Sequence, residues 1–258
     1  MTSNLNTLQK KQILKNRLAF FITLLFTYVL LFEFILPINK ILPKPSLLIE
    51  SIPALFEDYN LLAEMTISTT IIYLSIPIAF IILYVISFSL DKIMKVNPGF
   101  FNNFRLFRNF PAFFFAVLFA FWFGESLFAE LIFTLIASTF FLIVTYLGSL
   151  GKVEKQYLDS ASSLLIEGKE LHKKVIWKYC QPLVYDELKR LHYYLWVLVL
   201  IYEFIGGSNG FGGVYYLALE YNDFSAIIML GIIIALLIWL GNSIIDYVRN
   251  KTVFWKVQ

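Results

Sequence analysis

Long apolar windows that lack Asp, Glu, Lys and Arg alternate with short polar segments along the chain. A helix that crosses a membrane needs about 20 mostly apolar residues, and six windows approach that length once flanking residues are added. The pattern therefore predicts six transmembrane helices. Their expected bounds are about 18–36, 65–90, 108–124, 130–148, 185–205 and 224–246.

Composition supports a membrane protein. Hydrophobic residues make up 59% of the 258 residues, charged residues make up 15%, and the mean hydropathy is +0.73. Soluble domains contain about 25% charged residues, so a soluble enzyme is excluded. Six spans also leave too little sequence for a large domain outside the membrane. We expect an all-α integral membrane protein whose residues 1–258 form a single transmembrane domain.

The charges are distributed unevenly between alternate polar segments. If the N-terminus is cytoplasmic, the inside segments 1–17, 91–108, 148–190 and 246–258 hold 19 of the 21 Lys and Arg residues. Many of the acids, Glu130 among them, fall in the outside segments or at their helix ends. An excess of Lys and Arg is typical of cytoplasmic loops. The charges therefore predict that both termini are cytoplasmic.

The longest inside segment, expected as a loop over 149–184, carries a helical pattern. Its apolar residues recur at spacings of three and four, which is typical of short amphipathic helices. They are Leu158, Ala161, Leu164, Leu165, Leu171, Val175, Ile176 and Tyr179. Gly168 is expected to separate two such helices. An apolar stripe outside the membrane indicates a contact with a partner.

The stretch 158–182 resembles the cytoplasmic "EAA" loop of binding-protein-dependent ABC-importer permeases of the type I fold. Asp159 takes the Glu position of that motif, Ala161 takes an Ala position, and Pro182 takes the closing Pro. Two positions depart from the pattern. Leu165 stands where the family has Gly, and Lys178 stands where the nitrate/sulfonate/taurine branch has an earlier Pro.

Other short motifs, in the order and spacing of that branch, extend the resemblance to about residues 42–255. They are Pro43-Lys44-Pro45, Ser68, Pro111, Leu118, Trp122-Phe123-Gly124, Glu203, Gly210-x-Gly212, Asp246 and Trp255. Ile71 or Ile72 replaces the Arg that follows the Ser, and Val117 replaces a second Pro.

The resemblance implies a permease subunit in a bacterial inner membrane. Such a subunit pairs with a second permease, identical or related, and an extracytoplasmic binding protein delivers a small solute. Two cytoplasmic ABC ATPase subunits bind ATP and Mg, so the permease itself would bind no cofactor and hydrolyse nothing. No nucleic acid is expected as a partner.

The resemblance also assigns residues to the coupling of the permease with the ATPases, within the loop 155–182. They are Asp159, Ser160, Ala161, Ser162, Leu165, Gly168 and Pro182. Asp159 is expected to cap a helix by accepting a hydrogen bond from exposed backbone N–H groups. Loss of the Gly at Leu165 puts the usual turn in question, and Gly168 is expected to supply it. The alternative is a solvated loop whose charges only set topology.

Glu203 is a candidate for an outer gate on the translocation path, together with Gly210, Gly212 and Trp196, because an ionisable residue near a span is a functional candidate. Two alternatives stay open for Glu203. It is either an interfacial carboxylate in water or a structural link to a backbone N–H of the glycine-rich turn. The glycines are expected to supply positive φ angles in a tight turn.

Two other functions stay open. The chain is either a degenerate partner subunit of a heterodimer, or a membrane scaffold or solute-capturing subunit without a coupling role. Residue patterns for catalysis and for metal binding are missing from the sequence. Cys180 is the only cysteine, and His172 and His192 lie on different segments, whereas zinc sites use three or four closely spaced ligands.

Overall fold

The computed structural model describes residues 2–36, 42–101, 111–124, 126–207 and 209–255. In these ranges the secondary structure is helical and contains no strand, which confirms the all-α prediction. The helices are α1 (Thr2–Val29, continued by the π-helical Leu30–Ile35), α2 (Pro45–Glu57), α3 (Leu61–Val96), α4 (Ala112–Phe123), α5 (Leu127–Leu150), α6 (Lys155–Ser163), α7 (Gly168–Leu171, continued by the π-helical His172–Ile176), α8 (Trp177–Gly206), α9 (Gly210–Glu220) and α10 (Phe224–Thr252).

Four of the described helices are long and apolar enough to cross a membrane. They are α1 over Leu18–Ile35, α3, α5 and α10. A fifth span results if Gly168–Gly206 and α9, which meet at a bend of 52°, are counted as one. The apolar α4 has 12 residues, and part of the expected third span falls on residues 102–110, outside the described ranges. These helices indicate a multi-pass membrane protein.

The chain divides into two compact units, one formed by residues 1–60 with 218–232 and the other by residues 61–217 with 233–258. In the first unit, Glu33 accepts hydrogen bonds from the Ser46 backbone N–H at 3.3 Å and from the Ser46 hydroxyl at 3.1 Å. The Tyr28 hydroxyl donates to the Pro43 carbonyl at 2.7 Å. These bonds join the end of the first span to the start of α2.

Tyr59 makes a second link within the first unit. Its hydroxyl donates to Asp223 Oδ2 at 3.4 Å, while Asp223 Oδ1 accepts the backbone N–H of Ala226 in the first turn of α10 at 3.0 Å. Burial, and then the negative charge of Asp223, raise the pKa of Tyr59. The phenol therefore stays protonated and able to donate this bond.

The second unit packs its helices through small and aromatic residues. Ala116 and Ala120 of α4 meet Phe133 of α5 and the pair Leu198 and Tyr202 of α8 in one buried cluster. Small side chains allow helices in a membrane to approach closely, and their association there depends on van der Waals packing. Helix α5 also packs against α3. These four helices therefore form the framework of the unit.

A buried polar cluster around His192 joins α3, α8 and α10. The Trp196 indole N–H donates to His192 Nε2 at 3.0 Å, and the Tyr73 hydroxyl lies 3.2 Å from the same nitrogen. His192 Nδ1 lies 3.2 Å from Asn242 Oδ1. Because an indole can only donate, Nε2 must accept, and the hydrogen sits on Nδ1. Neutral His192 thus satisfies donors and acceptors from three helices.

Candidate functional site

The segment that connects α5 to α8 contains the expected coupling residues other than Pro182. Helix α6 begins after Glu154, whose side chain makes no capping hydrogen bond. Asp159 is the fifth residue of α6 and is exposed, so the expectation that Asp159 caps this helix is wrong. The helix starts at Lys155, five residues earlier than a cap at Asp159 requires.

The serines of α6 satisfy their hydroxyl groups within the helix. Ser160, Ser162 and Ser163 each donate to the backbone carbonyl four residues earlier, at distances of 2.7–3.0 Å. Such local bonds are typical of serine in helices. The hydroxyls of Ser160 and Ser162 therefore need no partner protein for their hydrogen bonds, whereas the carboxylate of Asp159 is exposed and available to one.

Helix α6 ends in a Schellman turn centred on Leu165. The Leu165 N–H donates to the Ser162 carbonyl and the Ile166 N–H donates to the Ala161 carbonyl, both at 3.0 Å, which are the two hydrogen bonds of that motif. Leu165 has a φ of +56°, the left-handed conformation that usually selects Gly. The turn therefore forms at Leu165 although the Gly is lost, and Gly168, with φ +60°, adds a second left-handed residue.

Helix α6 and its closing turn expose three apolar side chains, Tyr157, Leu164 and Leu165, which are together called the exposed apolar face of α6. Leu164 is 71% exposed, Leu165 is 87% exposed and Tyr157 is 42% exposed, whereas Ala161 is buried. Exposed apolar groups that cluster on a protein surface often mark contacts with other proteins. The face lies outside the spans of α5 and α8, where a partner can reach it.

His172 fixes the other end of this segment to the transmembrane helices. Its Nδ1 contacts Asp91 Oδ2 of α3, and its Nε2 lies 3.0 Å from the hydroxyl of Ser87. The Tyr146 hydroxyl of α5 donates to Asp91 Oδ1 at 2.6 Å. All four side chains are buried. One polar cluster thus joins α3, α5 and the connecting segment.

Ser87, His172 and Asp91 stand in the order of a hydrolase triad, but their environment does not suit catalysis. Ser87 is completely buried, and its hydroxyl donates to the Tyr84 carbonyl at 2.7 Å. A catalytic serine instead gives its proton to the histidine and must reach a substrate. The geometry therefore supports a structural clamp.

Pro182, the remaining expected coupling residue, is buried inside α8 as its sixth residue. It lies one and a half turns after the π-helical segment that carries His172. The structure thus places Pro182 on α8, while Asp159, Ser160, Ala161, Ser162 and Leu165 lie together on α6 and its closing turn.

The turn between α8 and α9 depends on glycine. Gly207 and Gly210 have φ angles of +72° and +73°, which confirms the expectation that glycines supply positive φ here. A Cβ on Gly210 would overlap the Glu203 carboxyl group, and a Cβ on Gly212 would lie 2.5 Å from the Leu200 carbonyl oxygen. The Gly-x-Gly sequence therefore lets the start of α9 press against α8.

The first backbone N–H groups of α9 are held by side chains of α3 and α8. Gly210 donates to Glu64 Oε2 at 2.5 Å, Phe211 donates to Ser68 Oγ at 2.9 Å, and Gly212 donates to Glu203 Oε2 at 2.8 Å. Helix N-termini leave N–H groups unpaired and favour negative charge. Two carboxyl groups and a serine thus cap α9.

Glu203 is 3% exposed, and its Oε1 accepts the Ser68 hydroxyl at 2.5 Å. The alternative of an interfacial carboxylate in water is therefore wrong, and the structural link to a backbone N–H of the glycine-rich turn is confirmed. Trp196 is also buried, with its ring 5.9 Å from that of Phe211. The gate role of these residues stays a prediction.

Sequence analysis missed the importance of Glu64 and Glu130. Glu130, the fourth residue of α5, is 2% exposed and lies next to Glu203 in the lining of a small cavity. In the sequence, Glu64 and Glu130 each stand directly before a long apolar run, which is a position where an ionisable residue can be functional. The charge pattern assigned both carboxylates to the outside segments, and topology alone explained their presence. A small cavity adjoins the pair and is lined by Gly124, Leu127, Glu130, Tyr202, Glu203, Gly206 and Asn209.

The described residues contain no group of three or more His, Cys, Asp or Glu side chains that could hold a metal ion. The arrangement consists of an exposed helix between α5 and α8, a buried polar cluster that joins the connecting segment to α3 and α5, and a capped helix start beside two buried carboxyl groups. These features belong to a multi-pass membrane protein.

Comparison with known families gives a particular assignment. The family model described as "Binding-protein-dependent transport system inner membrane component" matches residues 95–252, which is more than half of the chain. The chain belongs to this family and is a permease component of an ABC importer. A comparison with curated proteins found no match. The matched range includes α6, His172, Glu130 and Glu203.

Proposed function

We propose that the chain is the transmembrane permease subunit of an ATP-driven importer and that α6 is its coupling helix. The subunit moves a small solute by alternating access. The observation that carries the coupling role is the exposed apolar face of α6, on a segment fixed to α3 and α5 through His172 and Asp91. Family membership supports the transport role.

The proposed topology has six spans with both termini in the cytoplasm of a bacterial cell. The concentration of Lys and Arg in alternate segments supports this orientation. The third span contains α4, and the fifth is the membrane part of α8. In this orientation α6 lies in the cytoplasm, and the start of α9 faces the opposite side.

The proposed assembly contains two permease subunits, two ABC ATPase subunits that bind ATP and Mg, and an extracytoplasmic binding protein. The family description supports the binding protein. The ATPases contact the exposed apolar face of α6, and Asp159 supplies a polar contact beside it. ATP hydrolysis belongs to the partner subunits. Resemblance to the nitrate/sulfonate/taurine branch supports a small anion, or a vitamin precursor, as the solute.

Force would pass from α6 to the membrane along a short path. The turn at Leu165 and Gly168 joins α6 to the segment that carries His172, and Asp91 connects His172 to α3 and, through Tyr146, to α5. A fully hydrogen-bonded polar cluster in a low-dielectric interior resists distortion. A displacement of α6 by the ATPase is thereby transmitted to both helices.

Deletion of residues 159–168 tests the docking role. The spans of the deleted protein are intact, so we expect normal membrane insertion and loss of co-purification with the ATPase. Retained co-purification would contradict the proposal and favour a scaffold or solute-capturing subunit. In a heterodimer, cross-linking through the 155–182 loops to one ATPase alone would indicate a degenerate partner subunit.

Substitution of His172 tests the transmission role. In the reconstituted complex, we expect His172→Ala to retain the ATPase but to lower the amount of solute transported per ATP hydrolysed. Lys174→Ala is the matched control. Lys174 lies two residues after His172, and its replacement removes an exposed ion pair with Glu170. An unchanged ratio for His172→Ala, or the same loss in both variants, would contradict transmission through the clamp.

A further inference from the structure

Two buried carboxyl groups meet between α5 and α8. Glu130 is 2% exposed and Glu203 is 3% exposed, and both side chains line the same small cavity. Two neighbouring buried negative charges would repel each other strongly. An ionised carboxylate can only accept hydrogen bonds, so a hydrogen bond between the two carboxyl groups would require a proton on one of them.

The surroundings of the pair supply hydrogen-bond donors but no cation. Glu203 is bonded by Ser68 and by the Gly212 N–H. Among the described residues, two other titratable groups lie near the pair. Glu64 of α3 caps the start of α9 together with Glu203, and Tyr202 of α8 lines the cavity. Glu64 adds negative charge, and the Tyr202 hydroxyl donates elsewhere, to the Gly124 carbonyl at 3.3 Å.

In the described part of the chain, the cavity lining contains no Lys, Arg or His, and neither carboxyl group takes part in an ion pair. Glu125, next to Gly124 in sequence, lies outside that part. Without a cationic side chain, the like charges of Glu130 and Glu203 have one simple means of compensation, which is a bound proton. The Ser68 hydroxyl and the Gly212 N–H both donate to Glu203, and they can stabilise one ionised carboxylate. The proton is therefore assigned to the pair of carboxyl groups and not to one of the two residues.

A second, independent observation points to a small ligand. Glu130 Oε1 is buried and, within the described residues, lacks a hydrogen-bond partner. Glu130 and Glu203 both line the small cavity between α5 and α8. A buried polar atom without a partner is costly, and an adjoining cavity gives a water or a proton access to the pair.

We propose that Glu130 and Glu203 form a binding site for one proton. The proton lies between the two carboxyl groups and ties α5 to α8 beside the capped start of α9. A consequence that rests on the proposed function is that alternating access, if it separates α5 from α8, releases this proton. The site itself can be tested on the isolated permease, so its failure is distinguishable from failure of the importer assignment.

Infrared spectroscopy of the full-length permease in lipid nanodiscs detects the proton directly. We expect a C=O stretching band of a buried protonated carboxyl group at neutral pH, and its loss in both Glu130→Gln and Glu203→Gln. Glu220→Gln is the control, because Glu220 is exposed at the end of α9. Absence of the band from the unchanged protein would overturn the proposal, and so would its persistence in both pair variants.

The pH dependence of unfolding gives a second measurement. Carboxyl groups of the unfolded chain are ionised in neutral water, so the folded protein holds one proton more than the unfolded one. Stability then falls as the pH rises, and the unfolding equilibrium constant increases tenfold per pH unit. We expect Glu130→Gln to lose this dependence, because the amide donates to Glu203 without a titratable proton, and Glu220→Gln to keep it.

These measurements also distinguish a proton from a sodium ion. Stabilisation of the unchanged protein by NaCl but not by KCl at fixed pH, without the carboxyl band, would overturn the proton site in favour of a Na⁺ site. If Glu130→Gln does not fold, the band and its hydrogen–deuterium shift in the unchanged protein still decide the matter. An equal pH dependence in Glu130→Gln and the unchanged protein would refute the proposal.

Discussion

The indole N–H of Trp255 donates to the backbone carbonyl of Lys178 at 2.8 Å. That carbonyl lies four residues before Pro182, which has no N–H and cannot supply the usual helical hydrogen bond. The Lys178 ammonium also lies 4.4 Å from the centre of the Trp255 ring. The chain after α10 thereby satisfies a backbone group that the proline in α8 leaves free.

A double-mutant cycle tests this relationship. We expect Trp255→Phe to lower the free energy of unfolding by about 1 kcal/mol, the typical net value of a hydrogen bond. In a Pro182→Ala background the new N–H of residue 182 can bond to the Lys178 carbonyl, so Trp255→Phe should cost less there. Denaturant titration in detergent measures both differences.

Trp239→Phe serves as the control for the loss of an indole, because Trp239 is 64% exposed on α10 and its replacement should change the unfolding free energy by at most about 0.5 kcal/mol. Equal costs of Trp255→Phe with and without Pro182 would show that the indole does not compensate for the proline.

Leu165 carries backbone strain that glycine would remove. A non-glycine residue in the left-handed region costs roughly 1–2 kcal/mol, so Leu165→Gly should protect the backbone amides of 161–168 from hydrogen exchange. Leu165→Ala keeps the strain while shortening the side chain, and it should show no added protection. Similar protection of these amides in both variants would show that backbone strain at Leu165 does not limit the stability of the turn.

The same two variants examine the contact with the ATPase. If the exposed Leu165 side chain contacts the ATPase, Leu165→Gly and Leu165→Ala should weaken complex formation to a similar extent, measured by ATPase titration of the permease in nanodiscs. Unchanged affinity of Leu165→Ala for the ATPase would show that this side chain does not belong to the proposed interface.

Gly212 has no space for a side chain. A Cβ there would lie 2.5 Å from the Leu200 carbonyl oxygen and the Phe204 nitrogen, and these backbone atoms cannot move aside cheaply. We expect Gly212→Ala to destabilise the permease by about 1–3 kcal/mol, the typical cost of overpacking, in denaturant titrations. Gly231→Ala is the matched control, since a Cβ on Gly231 meets nothing within 4 Å. Comparable losses in the two variants would contradict this packing.

Ser68 makes two hydrogen bonds at the start of α9. Its hydroxyl oxygen accepts the Phe211 N–H, and its hydroxyl group donates to Glu203, which caps the same helix. Ser68→Ala leaves both groups without that partner, so we expect a loss of about 1–3 kcal/mol of unfolding free energy. Thr66→Ala removes an exposed hydroxyl from the same helix and should change stability little. A neutral Ser68→Ala variant would show that water replaces the serine.

Sequence alone determined the class of this protein. The apolar windows predicted helices, and α1, α3, α5 and α10 coincide with four of them, because the transfer of apolar residues into lipid depends mainly on composition over about 20 residues. The spacing of apolar residues also predicted short helices in the loop, separated at Gly168. The expected cap was wrong, since Asp159 lies inside α6. Capping depends on a few local bonds that the apolar pattern does not specify.

Only the tertiary structure decided which polar groups meet. Asp91 and His172 are 81 residues apart, and Ser68 and Glu203 are 135 residues apart, so no local pattern relates them. The sequence predicted only that Glu130 belongs to the outside segments. The packing of α5 against α8 places it beside Glu203. Spans follow from hydrophobicity that each residue carries by itself, whereas the clamp and the paired carboxyl groups arise from distances that exist only after the helices pack.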